Sequence, residues 1–245
     1  MTGTAHGRGS HSDVLETLGR RIATGELPEG RILTLADLEL EHGASRTVIR
    51  EAVRVLESRG MLASRRRVGI TVLPHAEWDA FDAAVIRWNL AGPRRQEQLA
   101  MLTELRGAIE PTAARLAAVR ASFDDRARLR QLGDELDALG RRGLGASAEY
   151  LEVDVAFHRL LLEASGNAML AQLASTVEEV LRGRAALGLT PAKPAEGTLE
   201  NHVATAAAIS ASDAHAAEAG ARTYVSLVAL EVGDPVRGEP PREAG

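Results

Sequence analysis

The stretch Ser45-Arg46-Thr47-Val48-Ile49-Arg50-Glu51-Ala52-Val53-Arg54-Val55-Leu56 decides how this chain is read. Val48, Ile49, Ala52, Val53 and Leu56 recur at the spacing of one helical face, which predicts an α-helix with that face turned inward. Ser45 stands where an N-cap belongs, its hydroxyl placed to accept from the first turn. Gly60 ends the run. Arg46 and Arg50 lie one turn apart near the helix start and project from the same side. The segment is therefore a helix with an apolar face and a cationic beginning.

Working upstream, Val14, Leu15, Leu18 and Ile22 predict a helix over 12–23, closed by Gly25 and a turn at Pro28 and Gly30. A second helix is expected to open at Thr34, with Asp37 three residues on as a variant capping box, and to carry Leu35, Leu38 and Leu40. It breaks at His42-Gly43. Downstream the period changes. Met61–Ser64 and Ile70–Leu73 are short runs flanking Arg65-Arg66-Arg67-Val68-Gly69, a hairpin with three arginines at its tip. Three helices followed by a basic hairpin is the layout of a winged helix-turn-helix.

Those residue types suit a DNA duplex. A helix N-terminus entering the major groove can present arginine to a guanine edge with two hydrogen bonds. Ser45 and Thr47 are short donors for phosphate oxygens, which position without specifying. The formal net charge of -5 argues against a nucleic-acid binder only if charge is averaged over the whole chain, since affinity depends on a local cationic face. The positive charge is nearly all arginine, Lys193 being the only lysine.

The same residues carry a family resemblance. Ile22-x-x-Gly25-x-Leu27-x-x-Gly30, Ser45 to Ala52 with Leu56, Gly60-Met61-Leu62 and Gly69-x-x-Val72 together resemble the GntR family of bacterial repressors and, less often, activators. The resemblance implies that Arg46, Arg50 and the wing contact DNA. The candidate DNA-binding set is Thr34, Ser45, Arg46, Thr47, Arg50, Arg65, Arg66, Arg67 and Gly69. The chain departs from the family at Leu35-Ala36-Asp37, where Ala36 occupies a place at which some members carry a DNA-contacting arginine.

At 245 residues the chain is expected to divide into a DNA-binding domain (10–75), a linker helix (76–95) and an effector-binding domain (96–232). No stretch is apolar enough for a membrane helix, and the polar start does not read as a signal peptide but as a short flexible tail. With no cysteine there is no disulfide or thiolate chemistry. The cytoplasm is the default location. HExxH, GxSxG, GK[ST] and strand-borne GxGxxG motifs are all missing, so no enzyme class is indicated.

Between the domains, Trp78, Phe81, Val85 and Trp88 are spaced as an apolar stripe on one short helix, expected to clamp the DNA-binding domain to its neighbour. This stretch is similar to a linker in family members that respond to sugar acids. Beyond Gly92-Pro93 almost every segment has helical periodicity. Six helices are expected at 96–118, 123–140, 146–165, 167–186, 198–211 and 213–231, making the protein mainly α with a C-terminal all-helical antiparallel bundle. Asp154 and His158 sit one turn apart among apolar neighbours, half of a metal site or a buried hydrogen-bonded pair. His202 opens a later helix.

Glu104-Leu105-Arg106-x-x-Ile109-Glu110-x-x-Ala113-Ala114 and Asp154-x-x-x-His158-Arg159 with Ala164-Ser165-Gly166-Asn167 resemble the FadR-type ligand-binding (FCD) domain. In that domain an aspartate and three histidines bind a divalent metal that helps hold a carboxylate effector. The resemblance assigns Asp154, His158 and His202 as ligands of a divalent metal such as zinc, and leaves Tyr224 in the fourth place. A phenol is a poor ligand at neutral pH. Either three protein ligands hold the ion with water or effector, or Asp154, His158, His202 and Tyr224 bind an organic ligand by hydrogen bonds alone. Arg106 resembles the arginine that faces this pocket and suits a carboxylate. The expected protein is a homodimeric regulator, of repressor type, bound to a double-stranded operator and controlled by a small organic acid such as gluconate or galactonate. A metal sensor without organic effector, and a metal-dependent enzyme, are the alternatives.

Overall fold

A computed structural model describes residues 11–232 of the chain. The N-terminal tail up to residue 10, expected to be flexible, lies outside the described residues, as does everything after residue 232. The chain divides into two compact units, Met1–Arg95 and Gln96–Gly245.

The first unit runs α1 (His11–Ala23), β1 (Ile32–Leu33), α2 (Leu35–His42), α3 (Arg46–Ser58), β2 (Leu62–Arg65) and β3 (Gly69–Val72). β3 is the central strand, antiparallel to both neighbours, with Leu62 opposite Val72, Arg65 opposite Gly69 and Ile32 opposite Thr71. Val14, Leu18 and Ile22 of α1 meet Leu38 of α2, Ile49, Ala52, Val53 and Leu56 of α3 and Leu62, Ile70 and Val72 of the hairpin in one core. Each buried aliphatic side chain contributes about 1.5–3 kcal/mol, so this contact set fixes which side of α3 is left outside.

The ends of these helices follow from their capping residues. The Thr34 hydroxyl accepts from the Asp37 amide at 3.1 Å and donates to the Asp37 carboxylate at 2.7 Å. Gly43 closes α2 in the left-handed conformation. Leu40 is 87% exposed. It follows Leu38 by two positions, about 200° around the helix, and so faces away from the core. The two-residue β1 was not legible, being too short for any period to register. Gly69 makes room for it: at φ 116° a Cβ there would stand 2.9 Å from the Leu33 carbonyl oxygen.

A 3-10 turn at His75–Glu77 precedes α4 (Ala83–Leu90). The single-helix stripe expected here is split. Trp78 and Phe81 precede α4 and Phe81 is 56% exposed, whereas Val85 and Trp88 are buried. Asp82 is the reason: its carboxylate accepts from the amides of Ala84 and Val85 at 2.9 and 3.0 Å, so the helix starts after it. Trp88 packs back on α1, with its indole donating to Glu16 at 2.7 Å and its ring over Gly19. The Arg59 guanidinium stands 5.3 Å from the Trp88 ring centroid.

The second unit contains α5 (Arg95–Arg120), which begins one residue before it, then α6 (Phe123–Arg141), α7 (Ala148–Ala164), α8 (Ala168–Gln172), α9 (Ala174–Ala186), α10 (Thr198–Ser210) and α11 (Ala214–Val232). The helix expected over 167–186 is two helices. Leu173 breaks it while keeping near-helical dihedrals (φ -82°, ψ -3°), so the apolar spacing continues through the break and hides it in the sequence. Small residues let the helices approach closely: a Cβ on Gly140 would collide with Leu199 at 2.6 Å, and one on Gly220 with the Thr205 hydroxyl at 2.5 Å. Arg126 ties three helix ends together, donating to the carbonyls of Ala118 (2.8 Å), Ala121 (3.0 Å) and Ile209 (2.6 Å). Phe157, Leu161, Leu129, Leu132, Ile209, Ala217 and Ala221 belong to one core.

The tightest contact of the first unit yields a direct test. In Gly19→Ala the new Cβ would lie 2.3 Å from the Trp88 ring, so Trp88 must leave its seat. The expected outcome is a loss of about 1–3 kcal/mol in unfolding free energy together with a red-shifted tryptophan emission; unchanged emission and stability would contradict this packing.

Candidate nucleic-acid interface and candidate metal centre

The core of the first unit leaves Ser45, Arg46, Thr47 and Arg50 of α3 exposed, along with Arg65, Arg66 and Arg67 of the wing. A cleft of about 470 Å³ between the wing and the starts of α2 and α3 brings together Thr34, Ala36, Arg46, Arg65, Arg66 and Arg67, with Gly69 at its wall. Arg67 adopts a left-handed conformation (φ 66°) that turns the hairpin tip. Arg50 does not share this cleft; it lines an adjoining depression with Arg54 and Glu57. Ser45 is the N-cap of α3, accepting weakly from the Val48 amide at 3.5 Å. Arg46 lies 3.8 Å from Glu39, and Arg54 is 2.6 Å from Glu51. Exposed pairs of this kind are worth at most about 1 kcal/mol, so phosphate can replace the carboxylates. The acidic chain thus carries a local cationic face on an apolar scaffold.

The second unit buries a polar cluster. Arg106 and Glu110 are one turn apart on α5, 2% and 0% exposed, and pair at 2.5 Å between Nε and Oε1. Pro111 follows directly, removing one rung of the helical ladder beside them. The Glu110 Oε2 atom lies 3.0 Å from His158 Nδ1 of α7, at an angle short of a hydrogen bond. On its other side, His158 Nε2 is 3.2 Å from Arg106 Nη2 and 3.3 Å from Asp154 Oδ1. Guanidinium only donates, so in the neutral form of His158 the accepting nitrogen is Nε2 and the ring proton belongs on Nδ1, toward Glu110. His202 of α10 is oriented the same way, its Nδ1 2.7 Å from the Thr198 carbonyl oxygen and its Nε2 3.5 Å from His158 Nε2.

Burial and charge set the protonation states together. Burial opposes ionisation of Glu110, but Arg106 and then His158 outweigh it and hold its carboxyl far below the usual range. Burial likewise disfavours a charged Asp154, and the His158 and His202 imidazoles more than offset it. Burial, reinforced by His158, pushes His202 down to about 4, so its Nε2 keeps its lone pair at neutral pH. Burial would also lower His158, yet Glu110 raises it. Tyr224 of α11 stacks on His202, ring centroids 4.2 Å apart at 15°. Burial and then the Glu110 charge raise its phenol well above the ordinary value, and its buried hydroxyl makes no hydrogen bond of good geometry. It remains a neutral phenol and a weak ligand.

Asp154, His158 and His202 therefore offer one carboxylate oxygen and two imidazole nitrogens, mutually within 4.8 Å. Their separations are 3.3, 3.5 and 3.9 Å. Ligands at about 2.0–2.2 Å from a tetrahedral zinc stand a little over 3 Å apart, so the donor set fits a divalent cation with little movement. Glu110 and the Thr198 carbonyl complete it by orienting the two imidazoles from behind. His215, at the start of α11, is exposed and apart from the set.

Three residues of this region escaped the sequence reading. Glu110 was visible as a carboxylate four residues after Arg106 on an otherwise apolar face, the spacing of an i,i+4 ion pair. Thr198 acts through its backbone and left no signal. Arg184 continues the buried face of α9 after Val177, Val180 and Leu181 and is itself 5% exposed; a charged residue in an apolar stripe was the available cue.

Either single substitution, Arg106→Met or Glu110→Leu, leaves a buried charge without its partner and is expected to cost about 3–5 kcal/mol, whereas the double variant recovers most of that loss. Denaturant unfolding of the four proteins measures it; a double variant as unstable as the two singles added together would contradict the pairing.

Two family models match the chain: bacterial regulatory proteins of the gntR family over residues 11–72, and the FCD domain over residues 101–226. The galactonate operon transcriptional repressor of Escherichia coli is 30% identical over 217 residues, covering 87% of this chain and 92% of that protein. An uncharacterized HTH-type transcriptional regulator of the same organism, YieP, is 33% identical over 167 residues, 67% of this chain and 71% of its own length. Among solved structures, Lar, described as controlling expression of the Listeria monocytogenes agr system, aligns with TM-score 0.61 at 16% identity over 98% of this chain and all of that one, a likeness of fold. The chain belongs to the GntR family of transcriptional regulators, with an FCD domain following its winged helix-turn-helix.

Proposed function

We propose that the protein is a homodimeric, non-enzymatic repressor that releases its operator when a small organic acid binds the helical unit. The observation that carries this is the exposed cationic cleft shared by α3 and the wing, in a chain whose buried polar cluster lies in a separate unit. Residues 10–75 read DNA, 76–95 connect, and 96–232 sense. In a dimer each winged helix occupies one half-site. Arg46 reads a base edge, joined by Arg50 from the neighbouring depression, while Thr34, Ser45, Thr47 and the wing arginines Arg65, Arg66 and Arg67 hold phosphates. Gly69 contributes by shaping the wing. No helix among the described residues is long and apolar enough to cross a membrane, in keeping with action on DNA in the cytoplasm.

The sensing residues divide their work. Asp154, His158 and His202 would hold a divalent metal, zinc being suited to two imidazoles and a carboxylate. When bound, such an ion supplies a positive Lewis-acid centre that attracts a carboxylate. Glu110 fixes the His158 tautomer, and Arg106 compensates the Glu110 charge while facing the same pocket. Tyr224 covers His202 and offers its hydroxyl to a ligand. The acid is of the sugar-acid class, a reading supported by similarity to a galactonate operon repressor. Control requires that the acid prefer one conformation of the dimer over another.

Anisotropy titrations with DNA from the region flanking the gene test this. Specific binding that weakens on adding gluconate or galactonate is expected. Arg46→Ala should abolish preference for that DNA over unrelated sequence, while Arg66→Ala should weaken binding to all sequences and reduce the salt slope by about 1. Equal loss from both changes on every sequence, or binding indifferent to every acid, would contradict the proposal.

A further inference from the structure

The last turn of α3 is joined on one side to the wing and on the other to the segment leading into α4. β2 is an edge strand of the small sheet, paired with β3. The Ser64 amide on its open edge donates to Glu57 Oε1 at 2.7 Å. Two residues after Glu57, the Arg59 carbonyl accepts from the Asp79 amide at 2.9 Å, and Arg59 Nε donates to Asp82 Oδ2, also at 2.9 Å. The second Asp82 oxygen caps α4. One carboxylate therefore fastens the end of α3 to the start of α4.

The backbone makes this connection stiff. Gly60 has φ 71°, and a Cβ there would stand 2.1 Å from the Glu77 carbonyl oxygen. The chain before α4 thus lies against the chain after α3 with no room for a side chain between them. The Arg59 guanidinium over the Trp88 ring adds a contact to α4 itself. The other wing strand ends in the same place: the Leu73 carbonyl, just after β3, accepts from Trp78 Nε1 at 3.1 Å. Arg65, Arg66 and Arg67 follow Ser64 directly and line the cationic cleft with it, whereas Glu57, Arg59 and Asp82 do not. A displacement of α4 has a continuous path to the wing arginines, running through residues that stand off the cleft.

We propose that the last turn of α3 is the joint through which α4 sets the position of the wing on DNA, with Glu57, Arg59 and Asp82 as positioning residues. Asp82 holds Arg59 from the α4 side, and Glu57 holds Ser64 from the wing side. A shift of α4 is delivered to Arg65, Arg66 and Arg67 more than to Arg46, which stands at the opposite end of α3. The joint therefore adjusts phosphate contacts, and with them affinity, while base preference stays as it is. This rests on the reading of the wing arginines as phosphate contacts and adds how they are controlled.

Two variants of the full chain test the joint, because they break one contact with opposite changes of charge. Asp82→Asn keeps an oxygen to cap α4 but loses the ion pair. Arg59→Met keeps an unbranched stem over Trp88 and loses the pair from the other side. Amide hydrogen exchange at Ser64 should quicken at least about threefold in both, while the amides of Ile49 and Leu56 stay within about twofold of native. Binding to a duplex of unrelated sequence at low ionic strength, read by anisotropy, should weaken at least about threefold in both. Long-range charge alone would instead strengthen the first and weaken the second. Native exchange at Ser64 in both variants, a quickening shared equally by Ile49 and Leu56, or duplex affinities that do not fall together would overturn the joint. Duplex binding indifferent to Arg66→Ala would overturn the phosphate-contact reading of the wing, and the exchange measurement then decides the joint by itself.

Discussion

The Arg106–Glu110–His158 contact is the constraint around which the second unit is organised. An ion pair with 2% and 0% exposure sits beside a core made mostly of alanine and leucine. Replacing such a pair with apolar residues is often neutral or stabilising, so stability alone gives little reason to keep it. Its geometric consequence is the better reason. Glu110 claims the Nδ1 side of His158 and turns Nε2 toward Asp154 and His202. The Thr198 carbonyl does the same for His202 at lower electrostatic cost. Two imidazoles and a carboxylate are thereby left pointing at one place, and His202, pushed down to about 4 by burial and His158, keeps its lone pair at neutral pH.

The first unit solves a simpler problem. Its apolar contacts determine which side of α3 is hidden, and the arginines occupy what remains. Trp88 lying across Gly19 and capped by Glu16 extends that scaffold to α4. A chain with formal net charge -5 can present a cationic cleft because the acidic residues lie elsewhere or in exposed pairs that phosphate can displace. The family membership and the physical reading agree here: a helix with a cationic start and a basic hairpin, both held outward.

Much of this was legible in the sequence. The periodicity of α1 and α3, the caps Thr34 and Ser45, and the change to short runs after Gly60 specify the winged helix without its smallest strand. Phe81 was misplaced because the apolar spacing was read ahead of the N-cap at Asp82. The break at Leu173 was invisible because near-helical dihedrals preserve the apolar period. In the site, Asp154, His158 and His202 were legible from spacing and resemblance, and the structure brings them together. The role of Glu110 required knowing that α5 passes beside α7, a tertiary fact that no local pattern carries. Arg106, expected to face a carboxylate ligand, already has a carboxylate partner in Glu110.

The account depends most on Asp154, His158 and His202 acting as one cation site rather than as a hydrogen-bonded cluster. Metal content by mass spectrometry, on the native chain and on Asp154→Ala after zinc loading and exhaustive dialysis, addresses this directly. The account predicts a single retained ion per native chain and its loss from Asp154→Ala with the helical content unchanged. A native chain that retains no metal, or a variant that retains as much as the native chain, would contradict it.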